Sequence, residues 1–217
     1  MLVPLPVLFA AIAASAAAAI VADWRETRPP LFKLLKPLTT ILIIGLAWSA
    51  PPGGYRDALL LALVLALAGD IALMYESNGA FLGGLGSFLL AHLVFMLAFL
   101  HGVTPAPPPW WGALFVVYGA ALGTLLVRRA EAPLRIPVVV YALVLTGMAL
   151  TALLRWQALG GVTGGCALAG AALFVLSDSA LGMRKFVGRY GGAQGLILGT
   201  YWAGIAAIAW SAQGVAG

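Results

Sequence analysis

Apolar residues run through this chain in stretches of about twenty, separated by short polar, Pro-rich or Gly-rich breaks. The stretches cover residues 4–22, 31–49, 57–75, 80–101, 110–127, 134–154, 162–181 and 193–213. Each is close to the roughly 20 residues that a helix needs to cross about 30 Å of hydrocarbon. None shows the sustained period-two alternation of a barrel strand. A backbone without water must close its hydrogen bonds internally, which leaves helices. The pattern predicts an all-α, polytopic membrane bundle of eight transmembrane helices, in one domain over residues 1–217. The first stretch lacks a basic leader and no soluble domain follows it, so it reads as a retained helix and not a cleaved signal peptide. The breaks are DWRETRPP (23–30), APPGG (50–54), ESNG (76–79) and TPAPPP (104–109). Pro37 falls near the start of the second helix, where proline is tolerated. Gly79, Gly83, Gly84 and Gly86 predict a small-residue face for close helix contact on the fourth.

A few polar residues interrupt the apolar runs. Asp70 sits in LALAGDIALM and Asp178 in FVLSDSALGM, and an acid at membrane depth is a functional candidate by default. Both segments contain Asp-x-Ala-Leu and lie 108 residues apart, half the chain length, which suggests two parallel four-helix repeats, 1–108 and 109–217. Each acid precedes a charged loop residue, Glu76 or Arg184, by six positions, about 9 Å of helix, so both lie at matching depth near one membrane face. Lys36 approaches from the same face, while His92 and Tyr201 lie deeper. Glu76 and Asn78 read as solvated loop residues beside the entrance.

Only 9% of the 217 residues are charged, against about 25% in a soluble domain, and the mean hydropathy is +1.04. The net charge of +5 does not mark a nucleic-acid protein, because the basic residues occupy short loops between spans. Arg25, Arg28, Arg128, Arg129, Arg135, Arg184, Lys185 and Arg189 fall in the odd loops, and only Arg56 and Arg155 in the even ones. The positive-inside rule then puts the odd loops in the cytoplasm and both termini outside, in a bacterial-type inner membrane. A lone cysteine, Cys166, rules out an intrachain disulfide and a multi-cysteine metal site. No His, Cys or carboxylate spacing argues for zinc, so no metal or cofactor is expected.

The ordered set KPLTT (36–40), GD-x-x-L-M (69–74), F-x-x-G-x-x-S-F-x-x-A-H (81–92), SDS-x-L (177–181) and Tyr201-Trp202 resembles the YhhN-like lysoplasmalogenase family. The resemblance runs from the second span to the eighth. It implies an eight-helix membrane hydrolase that cleaves the vinyl-ether bond of lysoplasmalogens, with an ethanolamine or choline head, to a fatty aldehyde and a glycerophospho-head group. Carried over by position, it implies Asp70 and Asp178 as the functional acids.

Vinyl-ether hydrolysis begins by protonating the alkene carbon remote from the ether oxygen. Positive charge then spreads onto the ether oxygen, water adds, and the hemiacetal collapses. The chemistry needs an acid that holds its proton near neutral pH and a carboxylate that steadies the cation, as in glycosidases. Two carboxyl groups in one low-dielectric cavity divide into such a pair, and they titrate as a unit, so the sequence leaves their roles open. Lys36, His92, Ser177 and Tyr201 are the candidate substrate-binding residues. Each also has a plain structural reading: Lys36 as a snorkelling lysine, His92 as an interhelical hydrogen bonder, Tyr201 as packing. Ser177 lacks a Gly-x-Ser-x-Gly setting and is not a serine nucleophile. The expected partners are a single-chain lipid and the bilayer, with the site towards the cytoplasm and no oligomeric state indicated. A proton-coupled transporter or lipid carrier using the same aspartates is the rival reading.

Overall fold

The structure, a computed structural model, describes residues 4–75, 77–104 and 106–214. The expectation for Glu76, like the Pro105 position of the Pro-rich break, lies outside the described residues. Among the described residues eight long helices follow one another: α1 Leu5–Ala22, α2 Pro30–Trp48, α3 Gly54–Ala72, α4 Asn78–Leu100, α5 Ala113–Arg129, α6 Ala132–Leu159, α7 Gly161–Gly182 and α8 Ala193–Trp210. Seven are long and apolar enough to cross a membrane; α3, with Arg56, Asp57 and Asp70 in its 19 residues, is the exception by composition. It nevertheless runs antiparallel along α4. Gly54 at its start lies against His101, and Leu73 just past its end lies against Gly84. The protein is an integral membrane protein.

Local chemistry explains the boundaries. Pro30 opens α2 and Pro133 stands in the first turn of α6, positions where the missing N–H costs nothing. The Ser77 side chain caps α4 by accepting from the Ala80 amide at 3.0 Å. Asn78 is therefore the first residue of α4 and not a loop residue. Pro37 lies inside α2, beyond its first turn, because the helix already starts at Pro30. Between α6 and α7 the chain reverses through Gly160 and Gly161, both at φ 61°, a region that disfavours a Cβ.

Seven helices close into a ring in which α1 packs on α2, α2 on α3, α3 on α4, α4 on α6, α6 on α7, α7 on α8 and α8 on α1. Helix α8 also reaches α2 and α3, so it sits inward. Helix α5 stands outside the ring, held by α6 and by the π-helical turn Met183–Val187 that extends α7. The exterior is a belt of exposed apolar side chains such as Leu61, Leu97 and Val117. Exposed Trp24, Tyr75 and Tyr190 mark one rim, Trp48, Trp110 and Trp156 the other, as at two lipid–water interfaces.

With lipid outside, helices gain little from hydrophobicity and associate through close packing. A Cβ on Gly170 of α7 would fall 2.5 Å from the Gly204 carbonyl oxygen of α8. Of the four glycines expected to form a face on α4, only Gly84 makes such an approach; Gly79, Gly83 and Gly86 face open space. Gly170→Leu is expected to lower the unfolding free energy in detergent by at least about 2 kcal/mol through overpacking against backbone. Gly165→Ala, whose added methyl meets only Trp156 at 3.9 Å, serves as the control. Equal unfolding midpoints for the two variants would remove the tight α7–α8 crossing as a source of stability.

Candidate active site

Helix α2 presents Lys36 and Thr40 on one face, as the i, i+4 spacing requires. Opposite them stands Asp70, in the last turn of α3, only 1% exposed. Its Oδ2 accepts from the Thr40 hydroxyl at 2.7 Å and from the Tyr201 hydroxyl of α8 at 2.8 Å. Lys36 Nζ lies 3.4 Å from Oδ1 and donates to the Asp70 backbone oxygen at 3.2 Å. Trp202 Nε1 donates to Thr40 Oγ1 at 3.3 Å, which turns the Thr40 hydrogen towards the acid. Every partner of Asp70 is a donor, the set that suits an ionised carboxylate with one lone-pair direction still open.

Asp178 on α7 is held differently. The Tyr141 hydroxyl of α6 donates to its Oδ2 at 2.5 Å. His92 of α4 stands behind it, Nε2 3.6 Å from Oδ2, beyond hydrogen-bond range. The imidazole is fully buried and both ring nitrogens lack a hydrogen-bond partner. It is wedged edge-on between Tyr141 and Phe174, at centroid distances of 5.3 and 4.6 Å.

A cavity of about 420 Å³ joins the two acids and opens at the rim that carries Arg28, Arg184 and Arg189. Lys36, Asp70, Ser177, Asp178 and Tyr201 all line it. His92, expected as a substrate-binding residue, does not line it and stands behind Asp178 instead. The Ser177 hydroxyl donates to the Ile197 carbonyl at 2.9 Å, tying α7 to α8. The mouth is braced by a polar chain. Arg184 donates to Gln194 Oε1, Gln194 donates to Asp23 Oδ2, and Asp23 Oδ1 accepts from the Arg28 amide, each at 2.5 Å. Glu26 lies 3.5 Å from Arg184 and 3.7 Å from Arg189. Glu26 and Arg28 both have left-handed backbone, φ 56° and 51°, so this loop is held in a costly shape by those contacts.

A second, apolar slot of about 80 Å³ lies between α4, α5, α6 and α7. Asp178 lines both spaces, so one carboxyl group stands where a chamber lined by cationic side chains meets a mainly apolar one. Among the described residues no cluster of His, Cys, Asp or Glu has the arrangement to hold a metal ion.

Sequence reasoning missed Tyr141, Thr40 and the mouth residues Asp23 and Gln194. Thr40 was within reach, four residues from Lys36 on the same face. Tyr141 carries a weaker signal, a lone hydroxyl in the run VVVYALV.

The sequence profile of the YhhN family matches residues 31–212. The chain is 33% identical over 171 residues to human Lysoplasmalogenase TMEM86B, covering 78% of this chain and 70% of that protein. It is 36% identical over 152 residues to the Lysoplasmalogenase TMEM86B of Sus scrofa, covering 69% and 61%. It is 35% identical over 163 residues to the Lysoplasmalogenase of Mycobacterium bovis, covering 70% and 59%. No solved structure matches it.

Proposed function

The chain belongs to the YhhN family, and on that footing we propose that it hydrolyses the vinyl-ether bond of a lysoplasmalogen, with Asp178 as the acid and Asp70 as the carboxylate. The relatives named lysoplasmalogenase support the reaction class. The observation that carries the assignment to these residues is the position of Asp178 on the wall shared by the polar cavity and the apolar slot.

The substrate has the same two parts. Its phosphate belongs in the cationic chamber beside Lys36, Arg28 and Arg184; its chain belongs in the apolar slot. The vinyl ether, which joins the two, then lies at Asp178. With Tyr141 satisfying Oδ2, Asp178 Oδ1 is left to carry a proton and pass it to the alkene carbon that is not bonded to the ether oxygen. The C=C π electrons form the new C–H bond, and an oxygen lone pair makes the adjacent carbon an oxocarbenium. Asp70, held by three donors, supplies the negative charge that steadies this cation and orients a water at its open lone pair. The water attacks the cationic carbon and loses a proton to the Asp178 carboxylate, restoring the acid. The hemiacetal hydroxyl then gives its proton to a carboxylate while the ether oxygen takes one up, which releases the fatty aldehyde and a glycerophospho alcohol and leaves the site in its starting state. His92 and Tyr141 hold Asp178 against the slot.

The mouth lies at the rim where Arg128, Arg129 and Arg135 also cluster, and the positive-inside rule makes that face cytoplasmic. Head groups would therefore enter from the cytoplasmic leaflet of a bacterial-type inner membrane.

Purified protein in detergent, given a vinyl-ether lysophospholipid and its ester analogue, is expected to release aldehyde from the first and no fatty acid from the second. Well-folded protein that yields no aldehyde across ethanolamine and choline heads would defeat this reading and bring transport assays forward.

A further inference from the structure

The peripheral position of α5 has its own meaning. Near the cavity mouth α5 and α7 touch, with Leu126 seated where a Cβ on Gly182 would stand at 2.7 Å. Leu126 there belongs to a small core with Val138 and Ala130, backed by Phe186 of the π turn. Deeper in the membrane the two helices separate. Gly112, just before α5, is pinned instead to Leu153 of α6. The gap opens as a further apolar space of about 290 Å³ between Leu114, Phe115 and Tyr118 of α5 and Ala172, Val175 and Leu176 of α7. Phe115, Tyr118 and Val175 line this gap and the inner slot alike, so the two spaces adjoin at these side chains. On α5 the slot runs from Phe115 to Leu126, about 16 Å at 1.5 Å per residue. Leu114 is 65% exposed and Leu176 42%, on the face that meets lipid.

We propose that the gap between α5 and α7 is a lateral port: a single hydrocarbon chain, with its reacting end at Asp178, lies along the slot and passes through the port into the bilayer. The inference rests on the function proposed above and adds where the chain goes and what gauges it. The occupant is a hydrocarbon chain because the walls are mainly apolar, the outer end faces lipid, and the inner end meets the acid and the phosphate-binding chamber. A chain that leaves sideways keeps its far methylenes in lipid, so long chains need no deep enclosed pocket. Ala172, half-buried on the α7 wall, is the smallest side chain in the port, so a large side chain there would narrow it. The same route lets the aldehyde leave into the membrane while the head group leaves through the polar mouth. The class of reaction that consumes the product must then act on a membrane-dissolved aldehyde, by oxidation or reduction.

The test compares kcat/KM for hexadecenyl and butenyl lysophospholipids in wild type, Ala172→Trp and Leu97→Trp. Leu97 is exposed to lipid on α4 and lines neither space. Ala172→Trp is expected to lower the long-to-short ratio about tenfold, by denying the long chain burial of its next methylenes. Leu97→Trp should leave the ratio at the wild-type value. A second measurement needs no turnover: a saturated-ether lysophospholipid with a diazirine at its chain end, photolysed on wild-type protein. Adducts are expected on residues 114–118 or 172–176. An unchanged ratio in Ala172→Trp, or adducts confined to other helices, overturns the port; a second copy of the chain covering the gap would produce both. Port adducts on a protein that releases no aldehyde would leave the port standing and remove the hydrolase reading instead.

Discussion

Asp178→Asn is expected to fold like wild type and to release about a thousandfold less aldehyde. The two side chains have nearly the same shape, and the Tyr141 hydroxyl can donate to the amide oxygen as it does to the carboxylate. What the amide cannot do is deliver a proton to carbon. If Asp178 is the general acid as proposed, its removal takes away the whole catalysis of the carbon-protonation step. Tyr141→Phe keeps the acid and loses only the contact that fixes it, so it should cost about tenfold and mainly in kcat. His92→Phe fills the same space between Tyr141 and Phe174 and should fall in the same range. Aldehyde release, read beside the unfolding midpoint in detergent, separates these outcomes. An Asp178→Asn protein that keeps more than a tenth of wild-type turnover would remove Asp178 as the acid.

The sequence displays some of this arrangement and hides the rest, for physical reasons. Helix number and order are legible because hydrocarbon thickness imposes a length on every apolar run. Asp70, Asp178 and Lys36 stand out because ionisable groups are rare at that depth. Three-dimensional roles are harder. Lys36 reads equally well as a snorkelling residue until Asp70 is seen 3.4 Å away, from a helix 34 positions on. His92 looks like a substrate contact by composition, yet its ring is sealed behind Asp178. The glycines of α4 look alike, but only Gly84 meets the neighbouring helix closely. Nothing in Gly170 or Gly204 announces that those two face each other across α7 and α8. The ring itself, with α5 left outside, depends on which apolar faces meet, and all eight helices are apolar enough on several faces to hide that choice.

Lys36 and Asp70 give the second large effect, on stability and activity at once. Their side chains are 8% and 2% exposed. Breaking a buried pair by removing one partner is costly because the other charge is left behind; typical losses are about 3–5 kcal/mol. Here the cavity admits water on the Lys36 side, so the lower end, about 3 kcal/mol, is expected for Asp70→Asn, which leaves the ammonium without its counter-charge. Lys36→Met should cost less, since Thr40 and Tyr201 still donate to the carboxylate. The double variant Lys36→Met/Asp70→Asn removes both charges and keeps both volumes. Its destabilisation should fall short of the sum of the singles by about 2 kcal/mol. Activity must behave otherwise. A folded double variant still lacks the carboxylate proposed to steady the cation, so aldehyde release should stay at least about a hundredfold down. Recovered stability without recovered turnover assigns Asp70 to the chemistry and the ion pair to the fold. Singles that simply add would show that the pair carries no coupling, and an active double variant would show that the reaction draws its negative charge from somewhere other than Asp70.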